Sequence, residues 1–229
     1  MKNKNRRLQS VPMDTMLSPE KIYNDLLTAY GGVGPGWWPG DPYTIMVTAV
    51  LVQNVSWGNV GKSVSLFGDR LTPDWVAART EEELIPFIRP CGFYKAKART
   101  VLALTEWFGR YGYAVPEVQC HPPEALREEL LAVRGIGAET ADAILLYSFH
   151  FPMFVIDAYT RRFCSRMGLD GSDETIRKFF TDGLPADTDL YARYHALILD
   201  HGKKHCGKRP SCEGCVFSDE CVYFNERRQ

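Results

Sequence analysis

The sequence predicts an all-α fold, on three observations: apolar residues recur at helical spacing through most of the chain, several stretches open on helix-capping residues, and the strand signal is poor. Ser18-Pro19 puts a cap and a proline at the start of a helix running to about Tyr30. Asp41-Pro42 starts a second, with Ile45, Thr48, Ala49 and Val52 on a mostly apolar face. Thr80-x-x-Glu83 has the form of a capping box. Further helices are expected at 93–110, 123–133, 138–149, 158–168, 172–182 and 187–203. The apolar run Met153 to Ile156 reads as a buried connection, and no repeat or low-complexity segment interrupts the pattern.

Bulk properties narrow the function. At 229 residues the chain can form one large or two modest domains, and 45% apolar residues support a substantial core. No run approaches transmembrane length, so no membrane partner is expected. The basic segment Met1-Lys-Asn-Lys-Asn-Arg-Arg lacks a following apolar stretch and reads as a flexible tail, not a leader. A cytoplasmic protein is expected, nucleoid-associated if bacterial or archaeal. The formal net charge is −1, so a nucleic-acid binder would have to concentrate its positive charge. Residues 89–110 do so, with Arg89, Lys95, Lys97, Arg99 and Arg110 against Glu106, although part of that set fits a solvated helix face.

The stretch Leu131 to Asp157 carries most of the chemistry. Leu126, Leu130 and Val133 share one helix face, and Ala141, Ile144, Leu145 and Ser148 repeat the spacing after Gly135-Ile136-Gly137. The two glycines can take positive φ and admit a close partner. Amides at the turn and at the opening of the next helix lack helical acceptors and sit at the positive end of its dipole, where a phosphate fits without any base being read. An ordinary helical hairpin with a glycine turn fits the spacing equally well. Asp157 precedes the helical segment Ala158 to Phe163, so it is also a favoured N-cap. The roles are compatible: a carboxylate held at a helix start keeps its orientation and ionises easily. That suits a group that stabilises positive charge or guides water, rather than one that donates a proton.

Near the C-terminus Cys206, Cys212, Cys215 and Cys221 are separated by five, two and five residues. Four thiolates so close suit one metal centre. The remaining cysteines, Cys91, Cys120 and Cys164, are scattered, which argues against a disulfide framework. The first loop carries Lys208 and Arg209, able to contact phosphates, although surface charges are usually only solvated.

Val133-x-Gly135-Ile136-Gly137-x-x-Thr140-Ala141 followed by Val155-Ile156-Asp157, with 20 residues from Gly137 to Asp157, closely resembles the helix-hairpin-helix DNA glycosylases related to endonuclease III. The resemblance implies two helical domains with a DNA-facing cleft between them. One would be a six-helix barrel with the hairpin, residues 34–151. The other would be built from 1–33 and 152–229 and carry the four-cysteine loop at 206–221. It implies that Gly135, Ile136, Gly137 and Thr140 clamp a DNA phosphate and that Asp157 is the catalytic carboxylate. It also implies a [4Fe–4S] cluster on the four cysteines. The first cysteine gap is one residue shorter than the family pattern, which keeps zinc open as the alternative. Two residues after the second hairpin glycine, bifunctional members place a lysine that attacks the sugar. Here that position is Glu139, which cannot form an imine, so monofunctional hydrolysis is expected.

Trp37-Trp38-Pro39, then Gln53-Asn54-Val55-Ser56-Trp57, together with Gly-Ile-Gly-x-Glu-x-Ala-Asp-Ala-Ile-Leu from Gly135, resembles the 3-methyladenine glycosylase branch. Carried over by position, Trp38, Pro39 and Trp57 line the base pocket. Ring faces attract a cationic alkylated base by roughly 0.5–2 kcal/mol per good contact. Gln53 and Asn54 are candidates for filling the gap left by the rotated base, or else polar residues at a helix end. That branch includes members without a cluster, a departure from this chain. The expected activity is release of alkylated purines such as 3-methyladenine from damaged double-stranded DNA by a monomer. The alternatives are a bifunctional glycosylase/lyase on oxidised pyrimidines, a non-catalytic DNA-binding Fe–S module and a zinc-stabilised interaction protein.

Overall fold

In the computed structural model the described residues are 18–32, 34 and 36–228; the basic segment Met1 to Arg7 lies outside them. Thirteen α-helices and no strand occur among these residues. They are α1 Pro19–Tyr30, α2 Pro42–Leu51, α3 Trp57–Phe67, α4 Pro73–Ala77, α5 Glu81–Ile88, α6 Tyr94–Gly109, α7 Val115–Gln119, α8 Pro123–Ala132, α9 Ala138–Phe149, α10 Ala158–Arg166, α11 Asp173–Gly183, α12 Thr188–Lys204 and α13 Val222–Arg228. Their starts follow capping chemistry. The Ser18 hydroxyl accepts from the Lys21 amide, the Asp41 carboxylate accepts from Tyr43 and Thr44, and Thr80 and Glu83 form a reciprocal capping box.

The sequence pattern did not mark α3, whose Trp-Gly-Asn-Val-Gly-Lys-Ser-Val carries two glycines and two valines, all poor helix formers. Tertiary packing overrides propensity there: Val60, Ser63 and Phe67 face inward and are buried.

The chain divides into two compact units. The first comprises Gly34–Val155 and Ala186–Arg193. At its centre α2 packs on α9 and on α6, while α4 and α5 cover other parts of α6. Both α2 and α9 are buried nearly all round, which explains why α2 reads as an almost unbroken apolar run. Asp142, buried inside this core on α9, is paired: its carboxylate accepts from Arg127 Nε on α8 at 2.6 Å. This pair staples the two helices that flank the Gly135–Gly137 turn.

The second unit comprises the described residues within Met1–Val33, Ile156–Pro185 and Tyr194–Gln229. Here α1 packs on α11, and α10 packs on α11 and α13. Tyr194 is fully buried and its hydroxyl donates to Pro19 O at 2.9 Å, tying the later part of α12 to the start of α1.

Candidate functional site

The Gly135–Gly137 turn is held from behind. Gly135 has φ +94°, and a Cβ there would collide with Thr100 Oγ1 on α6, so glycine is required twice over. The Thr100 hydroxyl donates to Arg134 O at 3.0 Å, and Gln53 Nε2 donates to Gly135 O at 3.2 Å and to Thr140 Oγ1 at 2.9 Å. Ile136 is buried, its amide closing the turn on Val133 O at 3.0 Å. Gly137 opens α9 as an N-cap without any side-chain cap, and open space surrounds its Cα. The turn thus offers main chain outward at a helix start, while its side chains serve the core. Glu139 is exposed in the first turn of α9, and Thr140 is buried under Gln53.

Gln53 is therefore engaged with the turn, whereas Asn54 is exposed and left-handed, with φ +57°. Of the basic set at 89–110, Arg89 and Lys95 are exposed with no acid beside them among the described residues. Arg99 lies 3.5 Å from Glu81, and Arg110 lies 2.9 Å from Glu129. Lys97 corrects the surface reading: it is 4% exposed and its ammonium donates inward to main-chain carbonyls. Burial holds its pKa below the usual lysine value.

Between Arg89 and Lys95 stands a residue the sequence did not single out. Phe93 is 76% exposed and left-handed at φ +44°, just ahead of α6. Nothing in the periodicity marks it, since an aromatic at a helix start usually packs inward.

The aromatic residues form one cluster in the same unit. The rings of Trp38 and Trp57 meet edge-on at 5.0 Å, those of Trp38 and Tyr147 lie 5.0 Å apart, and Trp37 lies 5.5 Å from Trp38 and 6.3 Å from Trp57. Trp38 is buried and its indole N–H donates to Thr48 Oγ1 at 2.9 Å. Trp37 and Trp57 keep part of their surface exposed, so the accessible wall includes Trp37, which the sequence reading passed over. Trp38 and Pro39 line a hollow of about 400 Å³ with Ile45, Leu146, Tyr147 and Asp189, and Trp57 is not part of that lining.

In the other unit Asp157 opens α10. Its Oδ1 accepts from the Thr160 amide at 2.7 Å and from the Thr160 hydroxyl at 2.8 Å. Its Oδ2 lies 3.7 Å from His195 Nε2, and the side chain is only slightly exposed, at 8%. Burial alone would raise this carboxyl, but the His195 imidazole and the two Thr160 donors outweigh it and hold the pKa below the ordinary 3.8. His195 was not foreseen. Its signal was the spacing of Tyr191, Tyr194 and Ile198, which puts position 195 on the buried face of α12.

The four cysteines surround one cavity, together with Phe163, Arg166, His201, Phe217 and other residues. No disulfide joins them. Among the described residues no three His, Cys, Asp or Glu groups meet closely enough to hold a single ion. With all four thiols lining this one cavity, Cys206, Cys212, Cys215 and Cys221 are the residues that could hold a shared metal group. The charge around them also fits: Arg166 Nη1 donates to Cys206 Sγ at 3.2 Å, and burial pushes His201 down to about 4, leaving it neutral. The shortened first loop closes on itself, with the Ser211 amide donating to His205 O at 2.9 Å. Lys208 and Arg209 are exposed within it.

An uncapped glycine hairpin between two helices, in an all-helical fold, has the form of a helix-hairpin-helix motif. Residues 47–185 match the family described as HhH-GPD superfamily base excision DNA repair protein. The chain is 38% identical over 210 residues to "Putative DNA repair glycosylase MJ1434" of Methanocaldococcus jannaschii, covering 88% of this chain and 94% of the relative. It is 34% identical over 158 residues to endonuclease III of Sulfolobus acidocaldarius, covering 67% and 68%. Among solved structures it resembles the 3-methyladenine DNA glycosylase MagIII of H. pylori bound to 1,N6-ethenoadenine, with TM-score 0.70, 26% identity and 82% and 98% coverage. The chain belongs to the HhH-GPD superfamily and is a DNA repair glycosylase of that family. No helix among the described residues is long and apolar enough to cross a membrane.

Proposed function

We propose that this protein is a monofunctional glycosylase that removes alkylated purines, such as 3-methyladenine, from damaged double-stranded DNA as a monomer. The observation that carries the reading is the cluster of Trp37, Trp38, Trp57 and Tyr147, with ring spacings of 5.0 to 6.3 Å. Electron-rich rings attract a cationic base, and alkylation has already weakened its glycosidic bond, so no proton donor to the leaving group is needed. The likeness to MagIII, whose bound ligand is a modified adenine, supports the same substrate class.

In this reading the amides opening α9 at Gly137 take a phosphate beside the lesion, with Ile136 and Thr140 supporting the turn from the core side. Lys208 and Arg209 add phosphate contacts. Asn54 and Phe93 occupy the space the base vacates, with Gln53 anchoring that loop to the hairpin. The base rests against Trp37 and Trp57, with Trp38 and Pro39 behind. Asp157 Oδ1 is committed to Thr160, which fixes the group, while Oδ2 stabilises positive charge on the sugar and guides water. Glu139 provides no amine at the lyase position, so the product is an intact abasic site.

Cys206, Cys212, Cys215 and Cys221 would hold a [4Fe–4S] cluster, and their four thiolate bonds to it would pin the C-terminal loop.

A panel of duplexes carrying 7-methylguanine, 1,N6-ethenoadenine or thymine glycol tests the reading. Base release is expected from the alkylated purines, with strand breaks only after alkali and no covalent adduct on borohydride treatment. An adduct, or preference for thymine glycol, would establish the bifunctional alternative. Iron analysis of the purified protein, with loss of iron in Cys212→Ser, tests the cluster independently.

A further inference from the structure

Lys97 is the most unusual charged group in the hairpin unit. Its ammonium donates to Leu51 O at 2.9 Å, Gln53 O at 3.0 Å and Cys91 O at 2.9 Å, which uses all three of its N–H donors. Leu51 ends α2, so its carbonyl is one of those a helix leaves without an internal partner, and a cation there is favourable. Cys91 ends the short 3-10 turn Arg89–Cys91. One side chain therefore closes two separate segments from beneath.

Each of those segments continues to a non-glycine residue in the left-handed region, one that Asn tolerates and Phe avoids. Asn54, three residues after Leu51, has φ +57°; Phe93, two residues after Cys91, has φ +44°. Both are exposed, and Phe93 is among the few exposed large apolar side chains described. Strained, outward-pointing tips persist only where the surrounding structure over-determines them. The Lys97 amide also donates to Phe93 O at 3.0 Å, adding a further tie to that tip.

We propose that Lys97 is a positioning residue that joins the Asn54 and Phe93 tips into one rigid two-pronged wedge, so that both enter the duplex together when a base leaves the stack. This rests on the DNA-repair reading above but concerns the distortion of DNA, a step separable from base release. Three carbonyl bonds from one buried donor fix the spacing of the prongs before DNA arrives, so binding does not have to order two loose loops. A lysine suits this role where an apolar residue would not, since Leu51 O, Gln53 O and Cys91 O would otherwise be buried without donors.

The test uses the full chain and a duplex with a tetrahydrofuran abasic analogue opposite 2-aminopurine, whose fluorescence rises when it is unstacked. Wild-type protein is expected to raise the signal on binding. Lys97→Met is expected to lose at least about half of that rise while the dissociation constant changes by about threefold or less, because phosphate contacts at the hairpin remain. Parallel losses of fluorescence, affinity and melting temperature would mark Lys97 as a general core residue and overturn the proposal. So would an unchanged fluorescence rise. Should Lys97→Met fail to fold, Asn54→Ala, Phe93→Ala and the double variant decide the matter in the presence of the native lysine. Prongs acting as a unit give non-additive losses, with the double variant little worse than the poorer single one; additive losses overturn the wedge. Base release by wild type from the lesion panel is scored separately, so failure of the glycosylase reading and failure of the wedge remain distinct results.

Discussion

Two helix starts in this molecule solve the same electrostatic problem in opposite ways. At α9 the opening residue is Gly137, no side chain caps the helix, and the space around the glycine is empty. At α10 the opening residue is Asp157, whose carboxylate accepts two hydrogen bonds from Thr160. A helix N-terminus carries partial positive charge and amides without acceptors. Where the chain leaves them bare, water or an anion from outside must satisfy them. Where the chain supplies its own anion, a phosphate is excluded and a fixed carboxylate is presented instead. On the proposed reading, one start receives negative charge and the other presents it.

The largest effect should come from removing the charge at α10 while keeping the cap. Asn is as good an N-cap as Asp, so Asp157→Asn preserves the helix start and its Thr160 contacts. Turnover should fall by about 10³-fold, in line with loss of a preorganised charge, while binding to lesion-containing DNA persists. Unimpaired base release would confine Asp157 to capping.

Next come the two glycines of the bare start, which should behave differently from each other. Gly135→Ala forces a side chain into a left-handed position against Thr100, so a stability loss of about 1–3 kcal/mol is expected in urea unfolding, along with weaker DNA binding. Gly137 has an ordinary φ of −100° and no neighbour within reach. Gly137→Ala should therefore cost about 1 kcal/mol or less in stability, yet weaken binding by crowding the phosphate. If its affinity for undamaged duplex and the salt dependence of that affinity match wild type, the phosphate does not sit at this helix start.

The difference between these starts was partly legible in the sequence. Gly-Ile-Gly before an apolar helix and Asp157 before Ala158 follow from local rules about φ and capping, and the expected helices near both sites occur. What sequence could not give is direction. Trp37 and Trp38 are neighbours of identical type, and only the fold decides that Trp38 turns inward to Thr48 while Trp37 keeps surface exposed. Lys97 sits in a basic run that reads as solvated, and its three carbonyl partners come from segments up to 46 residues away. His195 and Asp157 are far apart in sequence, so their 3.7 Å approach is a tertiary fact. Helix α3 was missed because glycine and valine hide a helix that packing stabilises.

The finest test of the comparison removes only the Thr160 hydroxyl. In Thr160→Val the amide bond to Asp157 Oδ1 remains while the hydroxyl bond is lost, a change worth about 1 kcal/mol of stability. The carboxyl, held below its ordinary value of 3.8 by His195 and by Thr160, should move upward toward it. A carboxyl whose pKa is depressed in the folded state contributes stability above its unfolded pKa, and that contribution is lost as pH falls through the folded value. In Thr160→Val this loss should therefore be smaller and be complete at higher pH, and the acid limb of the base-release profile should shift upward in pH. Wild type and variant profiles that coincide would mean that the hydroxyl caps α10 without tuning the carboxylate, and the contrast between the two helix starts would reduce to main-chain geometry alone.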